Sequence, residues 1–226
     1  MKVRALLMAV LLSAVTCLFS CGKPNIVGSN LVMQAREDFE ELDSASVVMT
    51  NTDTDKAEQI FTFKYSSDGV LSYTDWKLID GVESNEYNNG EINVYLRDGK
   101  YYQYKSGDEK FISFNRTKKH QKTQDQMITY IPTAITDARM KSDSEKDEIT
   151  HIYDVEKVNP TVPEGAKATG FAVKFIFDKK GDLEYFTETT IYELDGKEKR
   201  LEYKTEITKR NKVDKIENIV ENKENA

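Results

Sequence analysis

Apolar residues recur at helical spacing near the start of the chain and at every second position over most of the remainder. Leu31, Ala35, Phe39 and Leu42 fall on one helical face, with Arg36, Glu37, Asp38, Glu40 and Glu41 on the other. This pattern predicts an amphipathic helix from about Asn30 to Leu42, with Ser29 or Asn30 as its N-cap. From Ser46 the period becomes two. Phe61, Phe63 and Tyr65 share a face, then Ile92, Val94 and Leu96, then Tyr102 and Tyr104. Asp98-Gly99 between two alternating runs is a hairpin signal, because both residues tolerate the positive φ of a tight primed turn. Phe171, Val173, Phe175 and Phe177 share another face, followed by a turn at Gly181. Leu183 to Leu194 and Arg200 to Thr208 are long alternating runs joined at Asp195-Gly196. The spacing predicts an antiparallel meander with one dry and one wet face, and Glu184, Glu188, Glu202, Lys204 and Glu206 fit the wet one.

A different segment separates these β regions. Met127, Ile131 and Ile135 have helical spacing, yet Pro132 stands among them and cannot continue a helix cheaply. The expectation is a short central helical segment broken or started near Pro132. Lys141 to Glu148 reads as a charge-dense loop, Ile149 to Val155 as a strand, and Asn159 to Gly165 as a connection. The fold class expected is α+β: a curved antiparallel sheet with an N-terminal amphipathic helix and that central segment.

The first residues change the picture. Lys2 and Arg4 precede an apolar run from Ala5 to Phe19. That is the length of a secretory signal core and is shorter than the roughly 20 residues of a spanning helix. The run ends Leu18-Phe19-Ser20-Cys21, which resembles the lipobox of bacterial lipoproteins. Leu18, Ser20 and Cys21 stand at that motif's determinants, while Phe19 is bulkier than the usual occupant of its place. The resemblance implies cleavage between Ser20 and Cys21 and diacylglycerol on the Cys21 sulfur. The organisation expected is a signal over 1–20, a tether over 21–29, a β-rich domain over 30–219 and a polar tail over 220–226. Gly22-Lys23 after the cysteine resembles lipoproteins of low-GC Gram-positive bacteria, which implies the extracytoplasmic face of a cell membrane.

Charge and composition then exclude several functions. Loss of Lys2 and Arg4 with the leader leaves 30 basic against 39 acidic residues, a net charge of −9. Such a domain gains nothing from counterion release, so nucleic acid is excluded as a partner. Ten Phe and twelve Tyr provide enough apolar surface for a packed core. Cys17 and Cys21 are the only cysteines, so the mature domain has no disulfide and no thiol nucleophile. His120 and His151 are the only histidines, one in a polar run and one in a strand. Asn51, Asp53 and Asp55 resemble the start of a calcium loop, but Lys56 replaces the turn glycine and Thr62 the bidentate glutamate. No catalytic residue, metal ligand or cofactor is expected.

The order of elements resembles the half-barrel lipoproteins: the lipoprotein carriers of Gram-negative periplasms and the lipid-binding lipoproteins of mycobacteria and Gram-positive bacteria. It covers most of Asn30 to Ile219 and rests on element order alone. The resemblance implies a lipid or acyl ligand on the concave face. Leu31, Ala35 and Phe39 and the segment Met127, Ile131 and Ile135 would then form a lid. Phe171, Val173, Phe175, Leu201 and Tyr203 would form the wall. The same pattern fits a solid core, so an interaction or scaffold lipoprotein with a surface site for protein or polysaccharide stays open. Tyr87, Tyr95, Tyr101, Tyr102 and Tyr104 would supply stacking surfaces in that case.

Overall fold

The computed structural model describes residues 26–65, 71–79, 82–83, 92–97, 100–105, 112–115 and 127–216. Ser20 and Cys21, the Asp98-Gly99 turn, His120 and the polar tail lie outside the described residues. A helix, α1 (Ser29–Glu40), precedes β1 (Ser44–Asn51), β2 (Lys56–Tyr65), β3 (Leu71–Ile79) and the two-residue β4 (Val82–Glu83). Strands β5 (Ile92–Arg97), β6 (Lys100–Lys105) and β7 (Ile112–Asn115) follow. After a 3₁₀ turn at Pro132–Ala134 come β8 (Ile135–Ser142), β9 (Lys146–Tyr153) and a one-turn helix, α2 (Val155–Val158). Strands β10 (Lys167–Asp178), β11 (Leu183–Leu194) and β12 (Lys197–Thr208) end the sheet.

All strands pair antiparallel in the order β7-β6-β5-β3-β2-β1-β12-β11-β10-β9-β8, with β4 beside β3. Two meanders therefore meet at the β1–β12 pair, where Val47 lies opposite Ile207. The outer strands β7 and β8 do not meet, and the curved sheet stays unclosed as a half-barrel. Turn chemistry fixes much of the register. Asp195 and Gly196 have φ of 54° and 69°, and Leu194 faces Lys197 across this two-residue loop. Arg97 faces Lys100, the pairing that a two-residue loop at 98–99 requires.

The core lies on the concave face. Cross-strand neighbours share a face, so Ile149, Phe175 and Phe186 line up across three strands, and Val47 and Phe61 across two more. Helix α1 lies against this face with Val32, Ala35 and Phe39 buried, and the Phe39 ring meets Phe63 edge-on at 5.7 Å. No side chain caps the helix, contrary to the expectation for Ser29 or Asn30. Gly28 takes the cap position at φ 72°, and a Cβ there would lie 2.5 Å from Ile149 Cδ1. Close approach to the sheet selects glycine over a capping side chain.

Two other expectations are corrected. Residues 127–131 are neither helix nor strand: Ile128 and Tyr130 are buried while Ile131 is 39% exposed. Pro132 permits only the 3₁₀ turn, and Ile135 already belongs to β8. The charged stretch from Lys141 to Glu148 is mostly strand, closed as a β8–β9 hairpin by Asp143, whose carboxylate accepts from the Glu145 and Lys146 amides. Strand β8 is an edge, where charged residues deter further pairing.

Candidate functional site

The irregular segment before Pro132 runs over the concave face. Tyr153 Oη donates to the Thr129 carbonyl at 3.2 Å, and Arg36 of α1 donates to the Tyr130 carbonyl at 3.1 Å. Ile128 and Tyr130 enter the packed core while Met127 and Thr129 line open space. Two cavities adjoin there. An inner one of about 190 Å³ has Val47, Phe61, Met127 and Phe186 on its walls. A wider one of about 630 Å³ extends to Phe171, Leu201 and Tyr203, with Val158 to Thr161 along one side. Met49, Gln59, Thr129 and Glu188 border both. Ligand pockets fall at roughly 300–1,000 Å³, so the wider cavity alone is large enough for a lipid chain.

The wider cavity also carries polar groups, placed there by β-bulges. Between β1 and β2 the register shifts at Met49/Thr50, so that Gln59 faces Met49 and Ala57 faces Thr50, leaving Glu58 as the extra residue. Bulges redirect side chains. Here Glu58 accepts from Asn51 Nδ2 and from Tyr203 Oη, each at 2.9 Å. Burial, together with the Glu58 carboxylate, pushes the Tyr203 phenol up to about 12. A second shift pairs Ile176 with Tyr185 but Phe177 with Leu183. Beyond it Phe186, Glu188 and Thr190 face inward. Glu188 therefore belongs to the concave face, opposite Val173 and Tyr203, and not to the wet side expected for it. Burial raises its carboxyl pKa, against the Thr129 hydroxyl that donates to it at 2.6 Å.

The residues singled out from sequence are distributed as follows. Phe171, Val173 and Phe175 are buried on the concave face, and Leu201 and Tyr203 sit half-buried on it beside the wider cavity. Ala35 and Phe39 are buried under α1, and Leu31 packs against the core edge. Met127 borders the inner cavity, Ile135 packs on the core, and Ile131 faces solvent. Val32, Met49, Glu58, Thr129 and Glu188 were not anticipated. One signal was available for Glu188: the three-residue interval between Leu183 and Phe186, two large apolar residues in one strand, marks a bulge. Among the described residues no group of His, Cys, Asp and Glu could hold a metal, and no helix is long and apolar enough to cross a membrane.

His151 is the other unusual group on this face. It is fully buried among Tyr130, Tyr153 and Phe175, with Nε2 donating to the Val27 carbonyl at 3.0 Å. That bond makes Nδ1 the bare nitrogen, and it has no partner among the described residues. Desolvation lowers the His151 pKa below 6.5. The unfolded chain therefore binds the proton more readily, and the contribution of neutral His151 is lost as pH falls below 6.5. Glu188 acts in the opposite sense, since its raised pKa means that acidification towards 4.5 favours the folded state. The stability difference between the wild-type chain and His151→Phe isolates the histidine. In urea titrations from pH 7.5 to 5 this difference should shift against the wild type by up to roughly 1.4 kcal/mol per pH unit. A pH-independent difference would show that His151 is protonated without penalty.

The architecture is thus an open antiparallel half-barrel with a hollow in its concave face. No family model and no curated protein matches the sequence. Among solved structures the chain is similar to LprF from Mycobacterium bovis, at 11% identity and a TM-score of 0.46, over 84% of this chain and 95% of that one. It is also similar to the lipoprotein LppX of Mycobacterium tuberculosis, at 8% identity and a TM-score of 0.45, over 83% and 97% of the two chains. At these values no residue role carries over.

Proposed function

We propose that this chain is a non-catalytic, membrane-anchored lipoprotein that holds the apolar chain of a lipid on the concave face of its sheet, outside the cytoplasmic membrane. The observation that carries the reading is the hollow itself. Val47, Phe61 and Phe186 are buried beside space that no described side chain fills, although apolar faces of this kind normally pack solid. Met49 is the apolar residue shared by the two cavities, and Phe171 and Leu201 continue apolar wall in the wider one, so an acyl chain could run from one to the other past the polar Gln59, Thr129 and Glu188. Diacylglycerol on Cys21 would keep the domain at the bilayer surface, because two fatty chains give stable anchoring where one does not.

Met49 borders both cavities, which makes it the position to block. Wild-type chain carrying Cys21→Ser should bind a pyrene-tailed diacylglycerol from mixed micelles. Adding Met49→Trp should weaken that binding about tenfold, the effect of overfilling a site by about 1.4 kcal/mol. Equal binding by the two chains would contradict the proposed location.

A further inference from the structure

The polar side of the hollow is acidic, and this constrains the head of any lipid that enters it. Glu58 reaches the wider cavity from β2 and Glu188 from β11, with Tyr203 of β12 between them. None of the described residues bordering either cavity is Lys, Arg or His. A phosphate or carboxylate head would need N–H donors or cations, and like charges brought together across an interface cost several kcal/mol. A carboxylate offers about four lone-pair sites. Among the described residues Glu58 receives two donors, from Asn51 and Tyr203, and Glu188 one, from Thr129. Both acids keep accepting capacity for a ligand. Gln59 and Thr190 add further polar atoms at the same rim.

Building on the acyl-chain reading above, we infer that the bound lipid carries a hydrogen-bond-donating head without negative charge, a hydroxyl or an ammonium, with Glu58 and Glu188 as its acceptors. Lipids headed by phosphate or carboxylate are discriminated against by the same two groups.

The test is displacement of the pyrene-tailed diacylglycerol from the Cys21→Ser chain by three lipids with identical oleoyl chains. Their heads are a glycerol hydroxyl, a protonated amine and a phosphate. At least one donor-headed lipid should compete about tenfold or more better than phosphatidic acid, the scale of one hydrogen bond to a charged group; which of the two wins separates hydroxyl from ammonium. Glu58→Gln with Glu188→Gln preserves shape and should bring phosphatidic acid to within about threefold of the better donor. Phosphatidic acid competing equally or better in the wild-type chain would overturn the inference while leaving the acyl-chain reading intact, and so would a preference unchanged in the double variant. Failure of every lipid, with no binding of the pyrene probe, would overturn both.

Discussion

Phe175→Ala should cost about 3–5 kcal/mol of folding stability, the range for deleting a buried aromatic ring from a packed core. Phe175 is fully buried in β10. Its ring lies 5.6 Å from His151, 6.1 Å from Phe186 and 6.5 Å from Phe177, so its removal unpacks three strands together. A domain of this kind has only about 5–15 kcal/mol to lose, and the variant should unfold at much lower urea. Met140→Ala is the control: Met140 is 43% exposed on the edge strand β8, and surface changes usually stay within about 0.5 kcal/mol. Similar midpoints for the two variants would mean that the concave face is not the core.

The second large effect concerns location. Cys21→Ser should move the protein from the membrane fraction to the soluble one and abolish labelling by an alkyne fatty acid. A single acyl chain binds a bilayer with a constant on the order of 10⁴ M⁻¹, and a second makes the anchoring stable. The change should therefore be close to complete, not graded. Retention of Cys21→Ser in the membrane fraction after a carbonate wash would contradict lipid anchoring at this residue.

The strands were largely legible because alternation reports which residues face together. Phe171, Val173 and Phe175 on one side of β10 and the two-residue turn at Asp195-Gly196 follow from period and turn chemistry alone. What escaped the pattern was non-local or irregular. No local signal says that β1 pairs with β12, some 150 residues away, which joins the two meanders into one sheet. Bulges at Glu58 and beside Glu184 each shift the alternation by one residue, and one residue is enough to exchange the faces. That is why plain alternation places Glu188 on the wet face. Met127, Ile131 and Ile135 match a helical period by coincidence in a segment whose carbonyls are bonded by Arg36 and Tyr153 instead of by a helix. Of the expected wall, Phe171, Leu201 and Tyr203 border the wider cavity while Val173 and Phe175 are packed in the core, and the bordering acids carry no signal in the alternation. Whether a dry face is filled or hollow depends on how the helix and the crossing segment sit, and periodicity does not encode that.

Native mass spectrometry of the Cys21→Ser chain, purified from its host without added lipid, examines the hollow most directly. The concave face should retain host lipid, visible as discrete mass increments that disappear on denaturation and are depleted by Met49→Trp. Repeated preparations of folded protein at the bare polypeptide mass, unable to take up the pyrene lipid, would contradict the account.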